Sequence, residues 1–102
     1  MLTAFGGERI IEMYYVYVLY NKLTDKFYIG STNNLERRLK EHKKGGTLTT
    51  SKMKSFQLTY YEASISKIDA LRREKQLKTG FGREYLRNRV TDFLKNYINT
   101  PG

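Results

Sequence analysis

An oxygen base, a phosphate clamp, a proton carrier and a hard metal ligand can all be picked out of this chain at spacings that local periodicity brings together. Tyr17 sits in the run Tyr14-Tyr15-Val16-Tyr17-Val18-Leu19-Tyr20, and Tyr28 in Phe27-Tyr28-Ile29-Gly30. In an extended chain Tyr17 shares a face with Leu19, while Val16 and Val18 share the other, and Tyr28 points opposite to Phe27 and Ile29. Arg38 lies three residues after Leu35, and His42 lies four after Arg38 and three after Leu39. On a helix that spacing places an arginine and the only histidine along the edge of an apolar face. Glu74 lies four after Ala70 and three before Leu77. A carboxylate bordered by apolar neighbours is costly to bury unless it is paired or binds a metal.

Each residue alone has a structural explanation. The tyrosines could be core residues with satisfied hydroxyls. Arg38 and Glu74 could pair across a helix interface. His42 could be a cation at a helix C-terminus. As a set they match the needs of phosphodiester hydrolysis: a base, a planar cation for the phosphoryl oxygens and a carboxylate for a divalent ion.

The bulk properties point the same way more weakly. Nineteen Lys and Arg against ten Asp and Glu give a formal charge of +9, an excess that favours polyanions through phosphate contacts and counterion release. Candidate nucleic-acid contacts are Arg37, Lys43 and Lys44 around the end of the first helix, Lys52 and Lys54 in the loop beyond it, and Arg83, Arg87 and Arg89 near the C-terminus. The absence of cysteine excludes disulfides and thiolate zinc sites, which is compatible with a cytoplasmic location. The opening stretch is broken by Gly6-Gly7 and carries Glu8, Arg9 and Glu12, unlike a signal peptide. No apolar run reaches the length of a membrane span, so no membrane association is expected.

The elements that must position these groups are legible. Length fits one domain, expected over 13–100, with 1–12 as a loosely held and dispensable extension. Tyr14 to Asn21 is predicted as a strand, followed by a polar turn and a second strand over Phe27 to Gly30, an antiparallel hairpin. A first helix follows the caps Thr32, Asn33 and Asn34 and stops at Gly45-Gly46. Phe56 to Ala63 is a third strand, with Leu58 and Tyr60 expected on one side. A second helix runs from Ser66 to Leu77, and Gly80 with Gly82 marks its exit. A third is expected from about Arg83 to Ile98, with an apolar stripe of Leu86, Val90, Phe93, Leu94 and Tyr97. The fold class is therefore α+β, a small, mainly antiparallel three-stranded sheet flanked by three helices.

Val16-Tyr17, followed eleven positions on by Tyr28-Ile29-Gly30, resembles the signature of the GIY-YIG nucleases, with Tyr15 in place of the first glycine and Val16 of the isoleucine. The likeness continues through Asn34 to His42 and Leu71 to Lys78, in the family's order. It is strongest to small stand-alone bacterial proteins related to the N-terminal nuclease domain of the excision-repair excinuclease. The resemblance implies a metal-dependent DNA endonuclease acting in repair or recombination. Tyr17 and Tyr28 would be the signature tyrosines, Arg38 the phosphate clamp, His42 a catalytic neighbour one turn on, and Glu74 the ligand of Mg²⁺ or Mn²⁺. Ser31 departs from the lysine that some excision-repair members carry, and Asn88 is off-register for the asparagine of several subfamilies. Without a DNA-reading domain, targeting implies a protein partner or an oligomer. The alternatives are a non-catalytic basic nucleic-acid-binding module and a basic partner-binding protein with structural tyrosines.

Overall fold

A computed structural model describes residues 11–44 and 56–98. Its elements are β1 (Tyr14–Asn21), β2 (Lys26–Thr32), α1 (Leu35–Lys43), β3 (Phe56–Ser64), α2 (Lys67–Leu77), α3 (Gly80–Arg89) and α4 (Thr91–Ile98). The strands form one antiparallel sheet in the order β2-β1-β3, with the aromatic strand β1 in the middle. That central place follows from composition. β1 is aromatic and β-branched on both faces, and six of its eight residues are buried.

The two faces of the sheet have different occupants. Val16, Val18 and Tyr20, with Phe27 and Ile29 of β2, form one core with Ala70 and Leu77 of α2, Leu86 and Val90 of α3 and its cap, and Leu94 of α4. Tyr17 and Leu19 face the other way, paired with Gly30 and Tyr28. There α1 covers them, chiefly through His42, whose ring meets those of Tyr17, Tyr28 and Phe56 edge-on.

The hairpin turn is built by side chains. Asn21 Oδ1 accepts from the amides of Leu23 at 2.8 Å and Thr24 at 3.3 Å. Asp25 takes a positive φ of 54°, and its carboxylate accepts from the Tyr20 hydroxyl at 2.6 Å. Burial and that carboxylate push the Tyr20 hydroxyl up to about 12. Arg87 of α3 closes the corner, 3.2 Å from the same carboxylate.

The sequence expectation differs from the structure in three places. Among the described residues there are four helices where three were expected, because the C-terminal one breaks at Val90. The Thr91 hydroxyl donates to the carbonyls of Arg87 and Asn88 at 3.0 and 2.9 Å, satisfying acceptors that the end of α3 leaves open. Gly80 and Gly82 follow the exit of α2 at Leu77 as expected, but they also open α3, which begins at Gly80 rather than near Arg83 and is capped by Thr79. A Cβ on Gly82 would overlap the Gln76 carbonyl and Leu77 Cα, so the glycine lets α3 pack on the backbone end of α2. Finally, Leu58 and Tyr60 lie on opposite faces: a bulge between Val18 and Leu19 pairs Tyr60 with Val18 and Leu58 with Leu19.

The expected stop at Gly45-Gly46 falls outside the described residues, as does the expected loose extension apart from Ile11 and Glu12. No helix among the described residues is long and apolar enough to cross a membrane.

Candidate active site

The hydroxyl of Tyr17 is the centre of the site. It is carried on the α1-facing side of β1, and the residue is 1% exposed. It lies 2.7 Å from Nε2 of His42 and accepts from Nε of Arg38 at 3.3 Å. Arg38 and His42 are one turn apart on α1, so a single helix brings both to the same oxygen. Asn34 fixes the start of that helix, its side chain accepting from the Arg37 amide at 3.0 Å. Arg38 is held from its far side by Glu41 at 2.9 Å.

The space for this arrangement comes from Gly30, the residue opposite Tyr17 in β2. A Cβ there would lie 2.5 Å from Tyr17 Oη and 2.7 Å from Cζ. Any side chain would push the hydroxyl off His42 and Arg38. The glycine of the Tyr-Ile-Gly run is thus part of the site, a role its place in the sequence motif did not explain. Tyr28, two residues before it, is half-buried and lies against His42 with ring centroids 5.2 Å apart.

Electrostatics separate the partners. Burial raises the Tyr17 hydroxyl above its ordinary pKa, and the hydrogen bond from Arg38 only partly offsets this. His42 is lowered below 6.5, first by burial and then by the Arg38 charge. At neutral pH the pair is therefore a neutral phenol beside a neutral imidazole, with the imidazole able to accept the proton.

Glu74 projects from α2 to the end of β2. Its Oε1 accepts from the Ser31 hydroxyl at 2.7 Å and its Oε2 pairs with Lys78 Nζ at 2.9 Å. The side chain is 18% exposed, more accessible than the buried Tyr17–His42 pair. Ser31, noted in the sequence only as a departure, and Lys78 are its immediate partners. The Ser31 contact was not predictable, since β2 and α2 are brought together only by the fold, whereas Lys78 stands four residues after Glu74, at the spacing of a helical ion pair. Asn88 is exposed on α3, and its carbonyl accepts from the Thr91 hydroxyl at 2.9 Å.

A groove of about 450 Å³ opens beside these residues, lined by Ser31, Asn33, Arg37, Arg38, Lys67 and Glu12 over a floor that includes Ala70 and Leu71. Arg37, the exposed neighbour of Arg38, therefore borders the same hollow even though the two point in different directions along the helix. Lys67 was not singled out from the sequence. It stands seven residues before Glu74, two helical turns, and that spacing was the available signal.

The other basic candidates do not converge here. Lys43 and Lys44 are exposed at the end of α1, and Arg83 is exposed on α3. Arg87 is tied to Asp25 and lies over Phe27, and Arg89 lies over Tyr60. Lys52 and Lys54 lie outside the described residues.

Residues 13–88 match the model of the GIY-YIG catalytic domain. Similar proteins include a UPF0213 protein of Limosilactobacillus reuteri, 38% identical over 90 residues, covering 82% of this chain and 93% of its own. Another, from Oceanobacillus iheyensis, is 37% identical over 68 residues, covering 66% and 78%. A third, from Staphylococcus haemolyticus, is 38% identical over 67 residues, covering 65% and 80%. No solved structure gives a significant match. The matched span contains both signature tyrosines, the arginine–histidine helix and Glu74, and the chain belongs to the GIY-YIG family, within the nuclease superfamily.

Proposed function

We propose that the protein is a divalent-metal-dependent endonuclease that hydrolyses phosphodiester bonds in DNA, in repair or recombination. The observation that carries this reading is the buried Tyr17 hydroxyl held between His42 Nε2 at 2.7 Å and Arg38 Nε at 3.3 Å. A structural tyrosine needs one partner; this one has a proton acceptor on one side and a cation on the other.

The raised pKa of Tyr17 constrains how it can act. Positive charge alone does not make a resident phenolate here, because burial outweighs it. Tyr17 acts instead as a relay: its proton passes to His42 Nε2 as its oxygen takes one from the attacking water. The phenolate is never a standing species. Arg38 donates to the Tyr17 oxygen, stabilising the charge that develops there, and its remaining guanidinium N–H groups face phosphoryl oxygens. The proton held on His42 returns to solvent after product release.

The chain's residues fit a Mg²⁺ or Mn²⁺ ion of the loosely held kind. No cluster of three metal-ligating side chains exists among the described residues. Mg²⁺, however, commonly takes one carboxylate and fills its shell with water and substrate phosphate. Glu74 offers such a carboxylate, partly accessible and oriented by Ser31. Lys78 is half-exposed and able to swing away from Oε2. When bound, the ion would supply Lewis-acid charge to the leaving oxygen.

Nicking of supercoiled plasmid with and without Mg²⁺ or Mn²⁺ tests the reading. Metal-dependent conversion to open circle is expected. Tight, salt-sensitive DNA binding without any cleavage would favour the non-catalytic binding module.

A further inference from the structure

The groove beside Arg38 contains an anion already. Glu12, just before β1, accepts from Asn33 Nδ2 at 3.1 Å and from the Tyr14 hydroxyl at 3.2 Å. Two further cations border the same hollow: Arg37 of α1, and Lys67 at the start of α2, which forms no ion pair among the described residues. Donors from four separate positions thus converge on one place, and a carboxylate has taken two of them. Arg37's own contact is weak, 3.8 Å from Glu41 with both side chains exposed. Apart from Tyr14, whose ring packs against the core, none of these groups contributes to the hydrophobic core.

We propose that this groove is a seat for a second phosphodiester of the DNA strand, flanking the one that is cleaved, and that Glu12 occupies it in the free protein. This rests on the nuclease reading, because Arg38 and Ser31 join the seat to the Tyr17 and Glu74 site. The flanking phosphate would take the Asn33 and Tyr14 donors from Glu12 and add the charges of Arg37 and Lys67. A phosphodiester matches a carboxylate in charge and in its two free acceptor oxygens, and an arginine fork can meet either one. Glu12 is then a built-in competitor whose removal should tighten binding, and Lys67 is a substrate-positioning residue with no part in the chemical step.

The test combines protein and substrate changes. Oligonucleotides carrying a single neutral methylphosphonate are scanned across the cleavage position. Affinity is measured by fluorescence anisotropy without metal, and cleavage with it. At one flanking position the neutral linkage should weaken binding to the unaltered protein about tenfold, the scale of one charge-assisted contact. The same linkage should cost Lys67→Ala measurably less, because one of the two charge contacts is already gone, while kcat stays near the unaltered value. Glu12→Gln should bind the unmodified strand several-fold more tightly, the more so at low salt. Equal methylphosphonate penalties in the unaltered protein and Lys67→Ala at every position would overturn the seat. Unchanged or weaker binding by Glu12→Gln would overturn the competition. A protein that shows the Lys67-dependent penalty in binding but never cleaves would keep the seat and sink the nuclease. One that cleaves without that penalty would do the reverse. Lys67 and Glu12 are both exposed, so circular dichroism is expected to show unaltered folding.

Discussion

Arg73 and Glu74 are neighbours on α2, yet they belong to two clusters built from the same residue types with opposite outcomes. Arg73 makes two bonds to Glu62 of β3, both 2.9 Å, and a third to Gln76 at 2.7 Å. The Tyr60 hydroxyl donates to the same carboxylate at 2.9 Å, and the rings of Tyr60 and Tyr85 lie under Arg89 and Arg73. Burial together with its neighbours pushes the Tyr60 hydroxyl up to about 12, while Arg73 holds Glu62 below the usual carboxylate range. Across β1 from it, Glu74 has one hydroxyl and one half-exposed lysine, and Tyr17 has a proton acceptor. The first cluster is closed, with matched planar partners. The second is joined to a groove and has charge left to offer. A glutamate, an arginine and tyrosines therefore do not mark a site by themselves; what distinguishes one is the capacity left unsatisfied.

The comparison breaks first at Glu74. Glu74→Gln keeps the Ser31 contact available and the side-chain volume, but removes the charge that a hard cation requires. Metal-dependent cleavage should be abolished, while the thermal midpoint and DNA affinity change little. Persistent activity at saturating Mg²⁺ would move the metal elsewhere and erase the contrast with Glu62.

Arg38 comes next. Arg38→Ala is expected to lower single-turnover cleavage by roughly 10²-fold, the scale for one preorganised donor. Lysine should rescue only partly, since it keeps charge but loses the planar fork. Arg37→Ala, removing an exposed side chain on the groove's rim, should leave turnover near normal and make binding less dependent on salt. Equal losses at 37 and 38 would mean that the contact between Arg38 and Tyr17 has no catalytic consequence.

A smaller, graded effect is expected from pH. The relay needs neutral His42, whose pKa is depressed below 6.5. Activity should therefore be flat above pH 6.5 and fall by about tenfold per unit only once the pH drops below the depressed value. Stability has the same sign. The unfolded histidine takes up a proton near 6.5 while the folded one resists, so stability is full above that pH and declines as the pH falls. The His42→Phe variant should lose the acid limb; a limb that persists would assign it to another group.

Much of this was legible in the sequence, and what was not has identifiable causes. The bounds of β1 and α2 follow from runs of aromatic residues and from the Ser66 cap, which are local signals. Tyr17 and Arg38 were placed together because strand and helix periodicities each confine a side chain to one face. The helix break at Val90 was hidden because the apolar stripe runs on through it, and only a hydroxyl bonding back to Arg87 and Asn88 reveals it. The bulge that separates Leu58 from Tyr60 has no mark in either strand. The pairing of Arg87 with Asp25, sixty-two residues away, has no local signal and is made only by the fold. The raised Tyr17 hydroxyl is hidden for a related reason: burial is a property of the packed chain, whereas the Arg38 charge can be read from spacing.

The closed cluster supplies the test in which activity should change least. Arg73→Ala removes a fork that satisfies both oxygens of a carboxylate which is itself only 25% exposed. The charge of Glu62 then lacks its main partner, with only the Tyr60 hydroxyl and the more distant Arg89 to offset it. Stability should fall by about 1–3 kcal/mol, the cost of leaving a largely buried charged acceptor short of its bonds. Replacing both residues, Arg73→Met with Glu62→Gln, should recover much of that loss, because no unpaired charge remains. Turnover per folded molecule should be unaltered in both, even though Arg73 adjoins Glu74 in sequence. Successive helical side chains point about 100° apart, so the residue that binds β3 does not share the direction of the residue that faces Ser31. Urea melts alongside single-turnover cleavage read the two quantities separately. A drop in turnover that the double variant fails to repair would tie the closed cluster to the site, and the division of labour along α2 would no longer hold.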